Sequence, residues 1–309
     1  MPRVSVVIPA FNAAALIGTT LASVLEGTYQ DLALVVIDNG SADEPAAVAA
    51  AYGAKVRVVS QANAGMSAAR NVGIAQSHGQ FIALLDADDV WHPQKLALQV
   101  AAMDAEPDVG VCYTEFFAWD GVGAARFGLP ASAERAPDLT GWIYHRMLLT
   151  NFVLPSSALI RRDVFERSGP FTCACQQTDD WEFFVRVSRE WQFLKLAAPL
   201  VAYRQTPGSL SRRILSINEP EAMRDCLIDR FGLVSPQGFE VDRAELSRRR
   251  HKGRKDFANA HLARGSLIRG IVSSVRLIAD GPARFSTSLA LMNALRRRFF
   301  PKRGTQLIG

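Results

Sequence analysis

The chain has little cysteine and little histidine, four and five residues respectively among 309. Cys112, Cys173, Cys175 and Cys226 include one close pair, a C-x-C, which has neither the spacing of a zinc ribbon nor that of a disulfide framework. A reducing, cytoplasmic setting is therefore expected. Long apolar runs are also missing. No window approaches the roughly 20 consecutive apolar residues that a membrane span needs, and the longest late candidate, residues 266–279, is interrupted by Arg269 and Arg276. Met1-Pro2-Arg3 leads directly into VSVVIP, so no signal peptide is expected. VIPAFNAA, after the first strand, holds no glycine-rich phosphate loop, which argues against a nucleotidyltransferase. Basic segments interleaved with aromatics are absent too, so nucleic acid is not an expected partner.

What is present suffices for a large core. Hydrophobic residues make up 49% of the chain, enough for one large domain or two. The net charge of +5 conceals a split. Residues 1–239 carry 19 Lys and Arg against 25 Asp and Glu, a net of −6, whereas residues 240–309 carry 16 against 5, a net of +11. Such a tail is expected to meet something anionic.

Strand and helix patterns alternate from the start. A β-branched run at 4–8 is followed by helical spacing over 13–25, a strand at 32–38, and a capping box, Ser41-Ala-Asp-Glu44, opening a helix through 51. A strand at 55–60, a helix at 65–76 and a strand at 81–86 complete the series. This order predicts a mostly parallel sheet flanked by helices, with ligands gathered at the carboxyl ends of its strands. Polar residues fall at those ends: Asn12, then Asp38 and Asn39, then Asn63 and Gly65, then Asp86 and Asp88. Each alone is an ordinary turn residue; four such ends on one rim predict a pocket. The densest stretch is FIALLDADDVWHP, where Asp86, Asp88 and Asp89 follow a buried strand. Crowded carboxylates repel one another unless a divalent cation or hydrogen-bond donors sit among them. The alternative is a solvated turn in which Asp89 helps to start the helix that Pro93 opens.

Four ordered stretches, PRVSVVIPAFNAAALIGTTLASVL, VVIDNGSADE, QANAGMSAARNVGIAQSHGQFIALLDADD and TDDWEFFVRV, together resemble the inverting, nucleotide-sugar-dependent glycosyltransferases of family 2. The resemblance covers about residues 3–211 and is far more specific than a lone D-x-D. It implies the GT-A fold, a Rossmann-like α/β arrangement with a mostly parallel sheet, over residues 1–215. Residues 216–309 would then be a helical, basic C-terminal appendage facing acceptor or membrane.

The same resemblance assigns roles. Asp88 would ligate a Mn or Mg ion bridging the donor diphosphate, and Asp86 would lie against the donor's ribose and sugar. Pro9, Asp38 and Asn39 would line the base pocket. The family usually has a second acid where this chain has Asn39, which is uncharged and can both donate and accept. A uridine diphosphate sugar is the first expectation for the donor. Arg70 would reach the diphosphate; the alternative is a solvated arginine on a helix face. Asp179-Asp180 stand where the family has Glu-Asp, and the second acid, Asp180, would be the base that takes the proton of the acceptor hydroxyl. The structural alternative is a pair of acids favoured by a helix N-terminus. Trp181 would form part of the acceptor floor. Thr206 occupies a position where family members often carry histidine, which leaves Asp88 as the one secure protein ligand for the metal. Ser209, Ser211, Arg212 and Arg213 would close over the diphosphate or form a basic loop.

The remaining sequence reads as helices at 219–231, 242–262, 266–279 and 283–299. Phe285, Leu289, Met292, Leu295 and Phe299 recur at helical spacing, followed by Arg296, Arg297, Arg298, Lys302 and Arg303. The tail either packs on the catalytic domain with its charges solvated or rests on anionic lipid, and the second reading is favoured. The expected protein transfers a sugar from a nucleoside diphosphate to a hydroxyl of a glycan or lipid-linked acceptor in surface polysaccharide synthesis, as a peripheral protein on the inner face of the membrane. The alternative, given Asn39 and Thr206, is a non-catalytic nucleotide-sugar binding protein on the same fold.

Overall fold

Four apolar runs form the parallel half of one sheet: β1 (Val4–Ala10), β2 (Leu32–Asp38), β3 (Val56–Ser60) and β4 (Phe81–Leu84). The computed structural model describes residues 1–127, 134–173, 177–205 and 213–280. Every residue of β1 and β4 is buried, because helices cover both faces of the sheet. Val6 and Ile8 pack toward Ile17 and Leu21 of α1 (Ala14–Leu25), while Val7 joins Ile82 and Leu84 in the cluster on the other face. β1 pairs in parallel with β2 (Ala10 opposite Asp38) and with β4 (Val7 opposite Leu84). The carboxyl ends of these strands therefore open onto one rim. Gly73, in α3 (Met66–Ala75), is required there: a Cβ would lie 2.4 Å from a methyl of Val7.

Beyond β4 the sheet becomes mixed. β5 (Val90–Trp91), β6 (Val109–Trp119), β7 (Leu159–Arg161) and β8 (Gln192–Arg204) extend it in the order β3-β2-β1-β4-β7-β6-β8-β5. β7 is antiparallel to both β4 and β6, and β8 runs parallel to β6 and antiparallel to β5. The expected parallel core is thus present, followed by a half in which the parallel pair β6–β8 lies between the antiparallel strands β7 and β5. α4 (Lys95–Ala105) covers this half, and Lys95 is buried there with its ammonium 3.9 Å from the centre of the Trp91 ring. Burial lowers the Lys95 pKa to about 7.

One local expectation is corrected. α2 is shorter than anticipated (Pro45–Ala50), and Glu44 before it has φ of 59° with no capping bond from its side chain. Ser41 instead accepts the backbone N–H of Asn12 through its hydroxyl and donates its own N–H to Asp38. The polar residues therefore tie two strand-end loops together instead of capping a helix.

α5 (Tyr144–Met147) and α6 (Arg162–Ser168) precede α7 (Asp179–Val187), whose Trp181, Phe183 and Phe184 are core residues. α8 (Glu219–Phe231) packs on α7 through Met223 and Leu227. α9 (Arg243–Ala263) is capped by Asp242, which accepts the N–H groups of Ala244 and Glu245. Its arginines are largely paired: Arg250 with Asp225, Arg254 with Glu221, and Arg248 and Arg249 with Glu245. α10 (Leu267–Asp280) folds back on α9. The helix expected at 283–299 and its basic cluster lie outside the described residues. So do Thr206, Ser209, Ser211 and Arg212.

Candidate active site

The D-x-D turn is fixed by donors from distant parts of the chain. Asp89 is buried; its carboxylate accepts the hydroxyl of Ser156 at 2.5 Å and the N–H of Arg204 at 3.0 Å. Ser156 also accepts the N–H of Asp86, and Trp91 donates its indole N–H to the Ser156 carbonyl. The Arg204 guanidinium donates to the carbonyl of Asp88 and stacks on Trp119 at 4.1 Å. Asp89 is consequently a structural acceptor that frees the other two acids from holding the turn. Asp88 is half-buried, and burial together with the nearby Asp86 charge raises its pKa to about 6.

Asp86 is joined to the start of α7 by α3. Arg70 is only 4% exposed, with a guanidinium nitrogen 2.8 Å from Asp86 and another 3.9 Å from Asp179. One turn earlier on α3, the Ser67 hydroxyl donates to the Asp179 carboxylate. Arg70 is therefore a buried tie between the two acidic motifs, not a solvated arginine on a helix face. Its Nε has no hydrogen-bond partner among the described residues.

Asp180 follows at the second position of α7 and is half-buried. Its carboxylate accepts the Asn151 amide at 3.0 Å and the Trp181 N–H at 2.8 Å. Burial, and then the adjacent Asp179 charge, raises its pKa to about 7. A carboxylate tuned to neutrality can accept a proton from a weakly acidic hydroxyl far better than one left near 4.

The other expected residues divide. Pro9 is the penultimate residue of β1, opposite Ile37, and Asp38 ends β2 on the same rim. Asn39 is 4% exposed, and its amide is committed within the protein. Its oxygen accepts from Gln61 and the Ala64 N–H, while its nitrogen donates to Asn63 and the Gly65 carbonyl. Direct contact between that amide and a base would require this network to open. Trp181 is 3% exposed and donates its indole N–H to the Met147 carbonyl, so it offers no open ring face for an acceptor floor.

Among the described residues no group of three or more His, Cys, Asp or Glu is placed to hold a metal. The donor set nevertheless fits a hard divalent ion. Asp88 offers carboxylate oxygen, its pKa raised by burial and by the Asp86 charge, and magnesium and manganese complete their shells with substrate phosphates and water.

Residues 5–169 match the family described as Glycosyl transferase family 2. The chain belongs to that family. It is 27% identical over 220 residues to the uncharacterized glycosyltransferase EpsJ of Bacillus subtilis, covering 68% of this chain and 63% of EpsJ. To an uncharacterized glycosyltransferase of Rickettsia felis it is 30% identical over 192 residues, covering 61% of this chain and 32% of that protein. The chain thus spans less than two thirds of the length of these relatives. This family 2 glycosyltransferase also shares its fold with S. aureus TarS 1-349, solved in complex with UDP-GlcNAc, at a TM-score of 0.63 and 18% identity over 95% of this chain and 89% of that one. The mannosyltransferase PcManGT of Pyrobaculum calidifontis, solved with GDP-Man and Mn2+, gives 0.60 and 20% over 98% and 88%. The mixed sheet with flanking helices is accordingly of the GT-A kind, with further helices at its C-terminal end.

Proposed function

We propose that this chain is an inverting glycosyltransferase that moves a sugar from a nucleoside diphosphate, a uridine diphosphate sugar first, to a hydroxyl of a glycan or lipid-linked acceptor in surface polysaccharide synthesis. The observation that carries this reading is Asp180, half-buried, with a pKa raised to about 7, and joined through Asp179 and Arg70 to the D-x-D acid Asp86. Residues 1–215 would form the catalytic domain and residues 216–309 a helical region facing acceptor or membrane. The similar proteins solved with UDP-GlcNAc and with GDP-Man support a nucleotide-sugar donor and leave the base to be read from this chain.

In this mechanism Asp180 takes the proton of the acceptor hydroxyl as that oxygen attacks the anomeric carbon from the side opposite the diphosphate. The bond to the diphosphate breaks with its electron pair going to the leaving oxygen, so configuration inverts in one step. Asp88 would hold Mn or Mg, and Asp86, oriented by Arg70, would bind ribose and sugar. When bound, the cation would offset the charge that develops on the leaving diphosphate. Pro9 and Asp38 would border the base.

Donor hydrolysis or transfer in manganese buffer, measured with Asp180→Asn, tests this. The expected result is turnover lost with donor binding retained. Turnover kept by Asp180→Asn sinks the base assignment, and wild-type donor binding without turnover toward any acceptor favours the non-catalytic alternative.

A further inference from the structure

We infer that α10 is a docking surface for an anionic membrane, with Ile268, Val272 and Val275 as its inserted stripe and Arg269 and Arg276 as its phosphate contacts. This deepens the membrane-facing role proposed for the C-terminal region and does not depend on the chemistry of Asp180. At 3.6 residues per turn, positions 268, 272 and 275 fall within about 60° of one another. The three side chains are 75%, 43% and 54% exposed. Gly270, Ser274 and Leu277 lie on the opposite side and are buried. The packed face cannot rotate freely, because a Cβ at Gly270 would meet Leu262 of α9 at 2.8 Å. The apolar stripe is therefore held outward by the closeness of the two helices.

Charge identifies the occupant. Arg248, Arg249, Arg250 and Arg254 of α9 form ion pairs with Glu245, Asp225 and Glu221. Exposed Arg264, Arg269 and Arg276 form none among the described residues. Arg269 and Arg276 both lie about a quarter turn to one side of the stripe. Exposed apolar side chains bordered by unpaired arginines match an interface whose acyl region accepts the first and whose anionic headgroups accept the second. Residues 281–309 fit the stripe less well, since they carry six Lys and Arg and no acid, and covering it would set basic residues against basic residues. A second copy of the chain brings the same repulsion.

The surface is also tied to the reaction centre. The Ser266 N–H donates to His261 Nδ1, which makes Nε2 the donor to the Leu215 carbonyl at 3.0 Å. The Arg213 carbonyl accepts from the Gln177 amide at 3.1 Å, and the Gln177 N–H donates to Glu219. Gln177 precedes Asp180 by three residues. The turn that leads into α10 is thus bonded, through residues 213–215 and Gln177, to the segment that leads into Asp180.

The test is flotation of the full chain with vesicles of phosphatidylcholine alone and of phosphatidylcholine with phosphatidylglycerol. Two variants are compared, Ile268→Ser/Val272→Ser/Val275→Ser and Arg269→Gln/Arg276→Gln, with thermal melting and gel filtration as controls. Wild type is expected to float with the anionic vesicles only. The serine variant should lose about tenfold or more in partitioning, and the glutamine variant several-fold with a weaker salt dependence. Donor hydrolysis in the absence of vesicles should be unchanged in both. Three results overturn the proposal: wild type failing to float, both variants floating like wild type, or the serine variant shifting from dimer to monomer without a change in flotation. Unchanged flotation with a lowered melting temperature in the serine variant also overturns it, because the stripe would then be covered by residues 281–309.

Discussion

The D-x-D turn and the start of α7 each pair a carboxylate supplied with strong donors and a neighbour left with weaker ones. Asp89 takes the Ser156 hydroxyl and the Arg204 N–H, and Asp179 takes the Ser67 hydroxyl with Arg70 alongside. Asp88 and Asp180 sit beside them with pKa values raised to about 6 and about 7, in both cases by burial first and a neighbouring carboxylate second. Burial raises Asp89 as well, so what divides the adjacent acids is their donors: one locks the backbone through strong hydrogen bonds, and the other is left for a cation or a proton. The comparison also separates the two free acids. Asp88 lies next to the Asp86 carboxylate, whereas among the described residues Asp180 accepts a neutral amide and a main-chain N–H.

Substitution of each pair should expose this division. Asp180→Asn should lower kcat/KM by about a thousandfold, the scale of a lost general base, with little change in melting temperature. Asp179→Asn should do the reverse in emphasis, with a smaller kinetic loss but a stability cost of about 1–3 kcal/mol for weakening the Ser67 and Arg70 contacts, read by denaturant titration. Comparable kinetic losses with equal stability would erase the distinction. In the first motif, Asp88→Asn should lower turnover about a hundredfold and weaken the response to added manganese. Asp89→Ala should instead orphan the Arg204 N–H and Ser156 and appear mainly as about 1–3 kcal/mol of lost stability. The smallest expected effect is that of Asn151→Ala. Removing a donor to the charged form of Asp180 should move the acid limb of kcat/KM to higher pH, and a move to lower pH would contradict the hydrogen bond's role.

The rim was legible in the sequence because it depends on local pattern: buried runs end in Pro9, Asp38 and Asp86, and parallel pairing aligns those ends. The partners that complete the site were not. Ser67 and Asp179 are 112 residues apart, and Asp89 and Arg204 are 115 apart; no spacing rule links residues that only the tertiary fold brings together. Arg70 was visible as a helix residue, but its burial between two acids is a tertiary fact. Trp181 reads equally well as a platform or as core, and helix packing against α5 and α8 places it in the core. Asn39 reads in the sequence as an uncharged base-pocket residue, because the four internal partners that occupy its amide come from a loop more than 20 residues away.

The most direct test of the account is the pH dependence of kcat/KM for sugar transfer, because that parameter reports the ionisation of the free enzyme. A base with a raised pKa acts only when deprotonated, so the wild-type rate should fall about tenfold per pH unit below a midpoint near 7, and the residual activity of Asp180→Asn should lack that limb. An identical limb in the variant, or a wild-type rate flat down to pH 5, would contradict Asp180 as the base.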